Sequence, residues 1–257
     1  MNRRARPLAA AALLAALCAG CASGPPPLAS GPPIPPPGTP VVYAALGASE
    51  TTGVGLNDPY LRARYAWPQL FFNMVLPRAA TYYNFGVPGI TTAAALGEEV
   101  PQALAVHPAV VTVFFNVDDL VHAVPAATFG ANLDAIVHTM RQGGRARVLI
   151  ANAPSLDNLP AFRACQGLSA GSATCPVPAD VAIPSQQSID ASLDAYDTVI
   201  AAVATREGAT LVDLRAHSDQ LVTHPEDVAA DGLHPSPLGD QVIAQLFAAA
   251  YSGSPSG

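Results

Sequence analysis

Two side chains could carry out covalent chemistry together: Ser49, which ends the apolar run Val41-Val42-Tyr43-Ala44-Ala45-Leu46-Gly47-Ala48-Ser49, and His234, in Asp231-Gly232-Leu233-His234-Pro235 near the C-terminus. A serine hydroxyl attacks an ester only when a base takes its proton, and an imidazole serves as that base when a carboxylate fixes its tautomer. With an aspartate three residues before the histidine, both side chains can converge from one loop while the other ring nitrogen faces the serine. The set predicts ester cleavage, with Ser49 as nucleophile, His234 as base and Asp231 as its partner.

The flanking residues fit this reading in different degrees. Gly47-Ala48-Ser49-Glu50-Thr51-Thr52-Gly53-Val54-Gly55 has glycines that allow a tight turn exposing the serine hydroxyl and its N–H. Alone, it would serve as well for a turn with a capping serine. In Asn84-Phe85-Gly86-Val87-Pro88-Gly89-Ile90-Thr91-Thr92, Gly89 can bring an N–H close to a ligand, although a helix entrance needs the same glycines. Gly167-Leu168-Ser169-Ala170-Gly171 matches a nucleophile elbow in letters only, because no strand precedes it. His107, His138 and His217 read as surface or satisfied residues, and His122 and His224 flank a cleft only if their loops fold over it.

The elements that must position these residues follow from hydrophobic period. Strands are expected near 41–48, 80–86, 109–115, 146–151 and 209–213, each followed by a longer segment. Phe129, Leu133, Ile136, Val137 and Met140 share one helical face, as do Ile189, Leu193, Tyr196, Ile200 and Val203, and again Leu238, Val242, Ile243, Leu246 and Phe247. Ser236 is a candidate cap for the last of these helices, with Pro237 at its first position. Continuously apolar strands such as Val110-Val111-Thr112-Val113-Phe114-Phe115 imply a parallel sheet covered on both sides, hence a three-layer α/β/α sandwich. Ligands of such sheets bind beyond the carboxyl ends of the strands, where Ser49 and the segments 86–89, 116–119 and 153–158 would fall.

The 257 residues suffice for one ordinary domain, expected over 41–257. Residues 1–20 have an export signal's layout: arginines at 3, 4 and 6, an apolar stretch, then small residues. Leu17-Cys18-Ala19-Gly20-Cys21 resembles a bacterial lipoprotein box, with Cys21 as the lipidated N-terminus, although Cys18 stands where leucine is usual. Proline-rich residues 21–40 would follow as a semi-rigid spacer. Export is the expectation, either to a membrane through a lipid on Cys21 or as a secreted protein. Cleavage before Cys21 removes three arginines and takes the net charge from −7 to −10. An acidic, lysine-free chain argues against nucleic acid as a partner. Cys165 and Cys175 read as a disulfide closing a small loop, since two thiols without a nearby histidine do not make a metal site.

From residue 41 to 251 the chain resembles the SGNH, or GDSL, family of serine esterases and lipases, with its sequence blocks in order. The resemblance implies a flavodoxin-like sheet of five parallel strands, no cofactor, and an oxyanion hole to which the N–H groups of Ser49 and Gly89 contribute. Two departures stand out. The family's Gly-Asp-Ser is Gly47-Ala48-Ser49 here, and its Gly-x-Asn-Asp is Asn116-Val117-Asp118-Asp119. The second puts Asp118 where the hole's side-chain amide belongs, and an ionised carboxylate repels an oxyanion; one lost donor costs about 2.7–4 kcal/mol. Either Asn116 reaches the hole, or Asp118 donates in its protonated form, or the enzyme is slow or inactive. The expected substrate is a small ester: short-to-medium acyl, lipid, or acetylated carbohydrate. The alternative is a surface lipoprotein that binds a ligand without turnover; acyl transfer would use the same three residues. A monomer is expected.

Overall fold

The computed structural model describes residues 41–141, 145–165 and 184–253. The export segment 1–20, residues 21–40 with Cys21, the segment 167–171 and Cys175 lie outside the described residues. Five strands, β1 (Val42–Gly47), β2 (Thr81–Asn84), β3 (Val110–Phe114), β4 (Arg147–Ala151) and β5 (Thr210–Val212), pair in parallel in the order β2-β1-β3-β4-β5. The helices are α1 (Ser49–Thr52), α2 (Pro59–Tyr65), α3 (Trp67–Val75), α4 (Thr92–Ala105), α5 (Val117–Val121), α6 (Ala126–Arg141), α7 (Pro160–Cys165), α8 (Gln186–Glu207), α9 (Gln220–Thr223) and α10 (Pro237–Ser252).

Successive side chains of a strand point to opposite faces, so a strand apolar at every position must be covered twice. Ala44 and Leu46 of β1 join Val111, Val113, Val148 and Ile150 in one cluster with Phe129, Met140 and Ile200 of α6 and α8. Their alternates Tyr43, Ala45, Val110, Phe114, Leu149 and Ala151 pack with Trp67 and Phe71 of α3 and Phe247 of α10. Trp67 stacks on Phe247 at 4.2 Å between ring centroids, and Phe129 on Tyr196 at the same distance on the opposite side. The result is the expected α/β/α sandwich with five parallel strands. Each strand is shorter than its expected span by a residue or two at the ends, where the chain turns into loops.

Chain order reverses between β1, which leads outward to β2, and β3, which lies on its other side. The crevice at this switch point collects the loops after β1 and β3, which carry Ser49 and Asn116 to Asp119. Helix α10 is terminated as its sequence predicts: the Ser236 hydroxyl accepts the N–H groups of Leu238 and Gly239, and Pro237 occupies the first position. That cap sets where the helix begins, and so where the loop bearing His234 ends.

Candidate active site

Gly47 closes β1 at φ 153°, and a Cβ there would lie 2.2 Å from Thr51 Oγ1 and 2.5 Å from the Phe114 carbonyl. Only glycine lets the chain turn directly from strand into α1, which places Ser49 at the strand's carboxyl end. Gly55 is required for a different reason, since a Cβ there would meet the Pro235 carbonyl at 2.5 Å and His234 Cβ at 2.9 Å. The loop after α1 thereby packs directly against the loop carrying the histidine.

That second loop is folded by the Asp231 side chain. Asp231 Oδ1 accepts the N–H of Leu233 at 2.9 Å and of His234 at 3.0 Å, and Ala229 N–H donates to the His234 carbonyl at 2.8 Å. The remaining oxygen, Oδ2, is 2.8 Å from His234 Nδ1, and His234 Nε2 is 2.9 Å from Ser49 Oγ. Ser49, His234 and Asp231 thus form one hydrogen-bonded row. With Nδ1–H donated to the carboxylate, Nε2 is left to accept the serine proton. Burial pushes the Asp231 carboxyl up, but the two N–H donors and the imidazole outweigh it and hold Asp231 below its ordinary value. Asp231 therefore favours its ionised form beside the imidazole.

Gly89 lies between β2 and α4 at φ 79°, with no atom within 4 Å of where a Cβ would be. Among the described residues, neither its N–H nor that of Ser49 donates to a protein acceptor. Two backbone donors at strand exits are therefore available to an oxyanion. Asn116 is buried, and its amide nitrogen points at the Ala151 carbonyl, 3.4 Å away on β4, so in this arrangement its donor is directed into the sheet. Asp119 is anchored: it accepts the N–H of Thr92 at 2.9 Å and its hydroxyl at 2.7 Å. This pins the start of α5 to α4, and Asp118 remains close to Glu50 and His234. Burial, followed by the nearby Glu50 carboxyl, raises Asp118 to about 6, with His122 and His234 pulling the other way.

Two carboxyl groups at the site were not anticipated. Glu50 Oε2 lies 3.4 Å from Ser49 Oγ, and burial raises its pKa despite the opposing charge of His234. Its adjacency to Ser49 in sequence was the available signal. Glu99, wholly buried on α4, accepts the N–H of Gly47 at 3.0 Å and of Val87 at 3.1 Å. It ties the turn that presents Ser49 to the loop that presents Gly89. Burial lifts Glu99 to about 8 and Asp240 of α10 also to about 8, against their backbone donors.

Both groups titrate near 4 when unfolded, so the native chain binds extra protons between there and about pH 8. Their contribution is most favourable at the acid end of that window and is lost as pH rises through it. Glu99→Gln should lower Tm at pH 5.5, because its amide nitrogen confronts an N–H and leaves a buried donor unpaired at a cost of about 1–3 kcal/mol. It should also flatten the decline in Tm between pH 5.5 and 8.5; thermal unfolding of both proteins across that range checks this.

Three of the other histidines have partners of their own: His138 with Glu207 and His224 with Glu226, both at 3.0 Å, and His122 Nδ1 with the Asp118 carbonyl at 2.7 Å. Among the described residues no cluster of three or more His, Cys, Asp or Glu could hold a metal ion, and no helix is long and apolar enough to cross a membrane. Cys165 ends α7 with its side chain buried; its expected pairing with Cys175 falls outside the described residues.

The profile of the GDSL-like Lipase/Acylhydrolase family matches residues 45–242, which include every member of the hydrogen-bonded row. Among solved structures, TesA is 20% identical at a TM-score of 0.60, covering 82% of this chain and 98% of its own. The lipase/acylhydrolase from Enterococcus faecalis is 22% identical at 0.59, covering 83% and 96%, and the acetyl xylan esterase AlAXEase is 16% identical at 0.58, covering 82% and 99%. At these identities the likeness is one of fold. No curated protein gives a significant match.

Proposed function

This chain belongs to the GDSL-like lipase/acylhydrolase family, and from that premise we propose that it is an exported serine hydrolase that cleaves carboxylic esters through an acyl-serine intermediate. The observation that carries the proposal is the unbroken row from Asp231 Oδ2 through His234 to Ser49 Oγ, with steps of 2.8 and 2.9 Å. Ser49 attacks the ester carbonyl as His234 Nε2 takes its proton. The oxyanion forms beside the N–H groups of Ser49 and Gly89. The imidazolium, held against Asp231, then protonates the departing alcohol, and water repeats the sequence on the acyl-enzyme. Asp118 weakens oxyanion stabilisation in its ionised form, so the enzyme is slower at neutral pH than the row alone would allow.

Short-to-medium acyl, lipid and acetylated-carbohydrate esters are the substrate classes compatible with the family; the acetyl xylan esterase of like fold motivates the last. Export through residues 1–20, lipidation of Cys21 and a Cys165–Cys175 bridge complete the proposal, supported by the arginine-led apolar leader and the spacing of the cysteines. The test is release of p-nitrophenol from p-nitrophenyl acetate and butyrate. A pre-steady-state burst matching the enzyme concentration is expected where deacylation is slower than acylation. Ligand binding without any Ser49-dependent release would instead favour a binding protein, the reading to which Asp118 lends weight.

A further inference from the structure

The Ser49 hydroxyl carries one proton and has two acceptors within reach. His234 Nε2 lies 2.9 Å from Ser49 Oγ and Glu50 Oε2 lies 3.4 Å from it, so a base and a carboxyl converge on one oxygen from the loop before α10 and from the first turn of α1. Glu50 is half-buried, and with His234 it borders an apolar cavity walled by Phe114, Leu156 and Leu246. Among the described residues no arginine forms an ion pair with it. The titratable groups around it are His234, Asp118 of α5 and Asp240 of α10, with His217 and Asp227 on the cavity wall.

Resting on the esterase reading, we propose that Glu50 is a fourth catalytic residue, which assists as a carboxylic acid donating a hydrogen bond to Ser49 Oγ and slows both chemical steps as a carboxylate. In acylation, Oγ forms its bond to the acyl carbon as its proton passes to His234 Nε2. A carboxylate at Glu50 competes for that proton in the resting enzyme and loses the interaction once the proton has gone, so it stabilises the ground state and not the transition state. In deacylation, the bond from Oγ to the acyl carbon breaks and Oγ regains a proton from the imidazolium. Negative charge then develops on Oγ, which an acid O–H stabilises and a carboxylate opposes. Glu50 keeps its own proton throughout and transfers none. Its surroundings favour this working form, since desolvation outweighs its backbone donor and the charge of His234 and raises the group above its ordinary value.

The experiment is kcat and kcat/KM for p-nitrophenyl acetate and butyrate across the pH range used for Asp118, with Glu50→Gln and Glu50→Leu each made in the full-length Asp118→Asn chain. That background removes the neighbouring carboxyl, which would otherwise titrate over the same range. Glutamine keeps an N–H donor and carries no charge at any pH, whereas leucine offers neither donor nor charge. Relative to the Asp118→Asn parent, Glu50→Gln should leave kcat within about twofold at the acid end and raise it about fivefold at the alkaline end, the scale of a stretched bond to a charged acceptor removed. Glu50→Leu should lower kcat about tenfold at the acid end, where the parent's donor is lost, and exceed the parent at the alkaline end.

Rate ratios that stay constant across the pH range, or glutamine and leucine variants that behave alike, would make Glu50 a packing residue and overturn the assignment while leaving the esterase reading intact. A fall in kcat for Glu50→Gln at the alkaline end would overturn it as well, because the carboxylate would then be the working form. Absence of any Ser49-dependent hydrolysis by the parent and the wild type would instead overturn the esterase reading, and the role of Glu50 with it. Should Glu50→Leu fail to fold, the pH dependence of Glu50→Gln decides the matter.

Discussion

Ser49→Ala is expected to lower kcat for p-nitrophenyl butyrate by about 10⁴-fold or more, with thermal stability nearly unchanged. The substitution removes one half-buried hydroxyl whose partners are His234 Nε2 at 2.9 Å and, more distantly, Glu50. Removing the hydroxyl abolishes the covalent route but spares the loop geometry set by Gly47, Gly55 and Asp231. Whatever rate remains comes from the backbone donors and from binding. Because the row works as a unit, adding His234→Ala should cost little more than either change alone. Additive losses would mean that the two residues act separately and that the hydrogen-bonded row is not the catalytic device.

Asp118→Asn should act in the opposite direction and raise kcat/KM by about 10²–10³-fold at pH 8, the scale of one oxyanion donor regained. The effect should depend on pH. Burial, and then Glu50, raise Asp118 to about 6, so the wild-type group is a carboxylate at pH 8 and mostly a carboxylic acid at pH 5. A protonated Asp118 can donate as an amide does, and the ratio of variant to wild type should shrink towards one at the acid end. Rate profiles of the two proteins from pH 5 to 8.5 check this. A ratio at or below one throughout would show that Asp118 is no handicap, and that the hole is completed by another group.

Much of this arrangement was legible from residue type and spacing because local rules dominate there. Short β-branched or apolar runs marked all five strands, and Phe129 to Met140, Ile189 to Val203 and Leu238 to Phe247 marked three helices, the last of them buried at Phe247 but exposed at Leu238. The Asp231-Gly232-Leu233-His234 spacing carried its own geometry, since the carboxylate closes the turn on two N–H groups and still reaches Nδ1.

What escaped was set by tertiary contacts. Glu99 carries no local signal of its place, and only the convergence of the loops after β1 and β2 shows it buried between two N–H donors. Helix α4 contains Gly97 and Pro101, which interrupt its pattern, yet Ala95, Val100 and Ala103 pack in the core. The direction of the Asn116 amide depends on the height of Ala151 on the neighbouring strand, a matter of register between β3 and β4 that no local pattern encodes.

The most direct test of the central claim, that Ser49 is the nucleophile, is covalent capture. The purified protein is treated with a fluorophosphonate ester, and the product is analysed by intact mass and peptide mapping. The account predicts a single adduct on Ser49, blocked by prior incubation with substrate and absent from Ser49→Ala. No adduct on an intact, folded protein, or an adduct on Ser169 in place of Ser49, would contradict it.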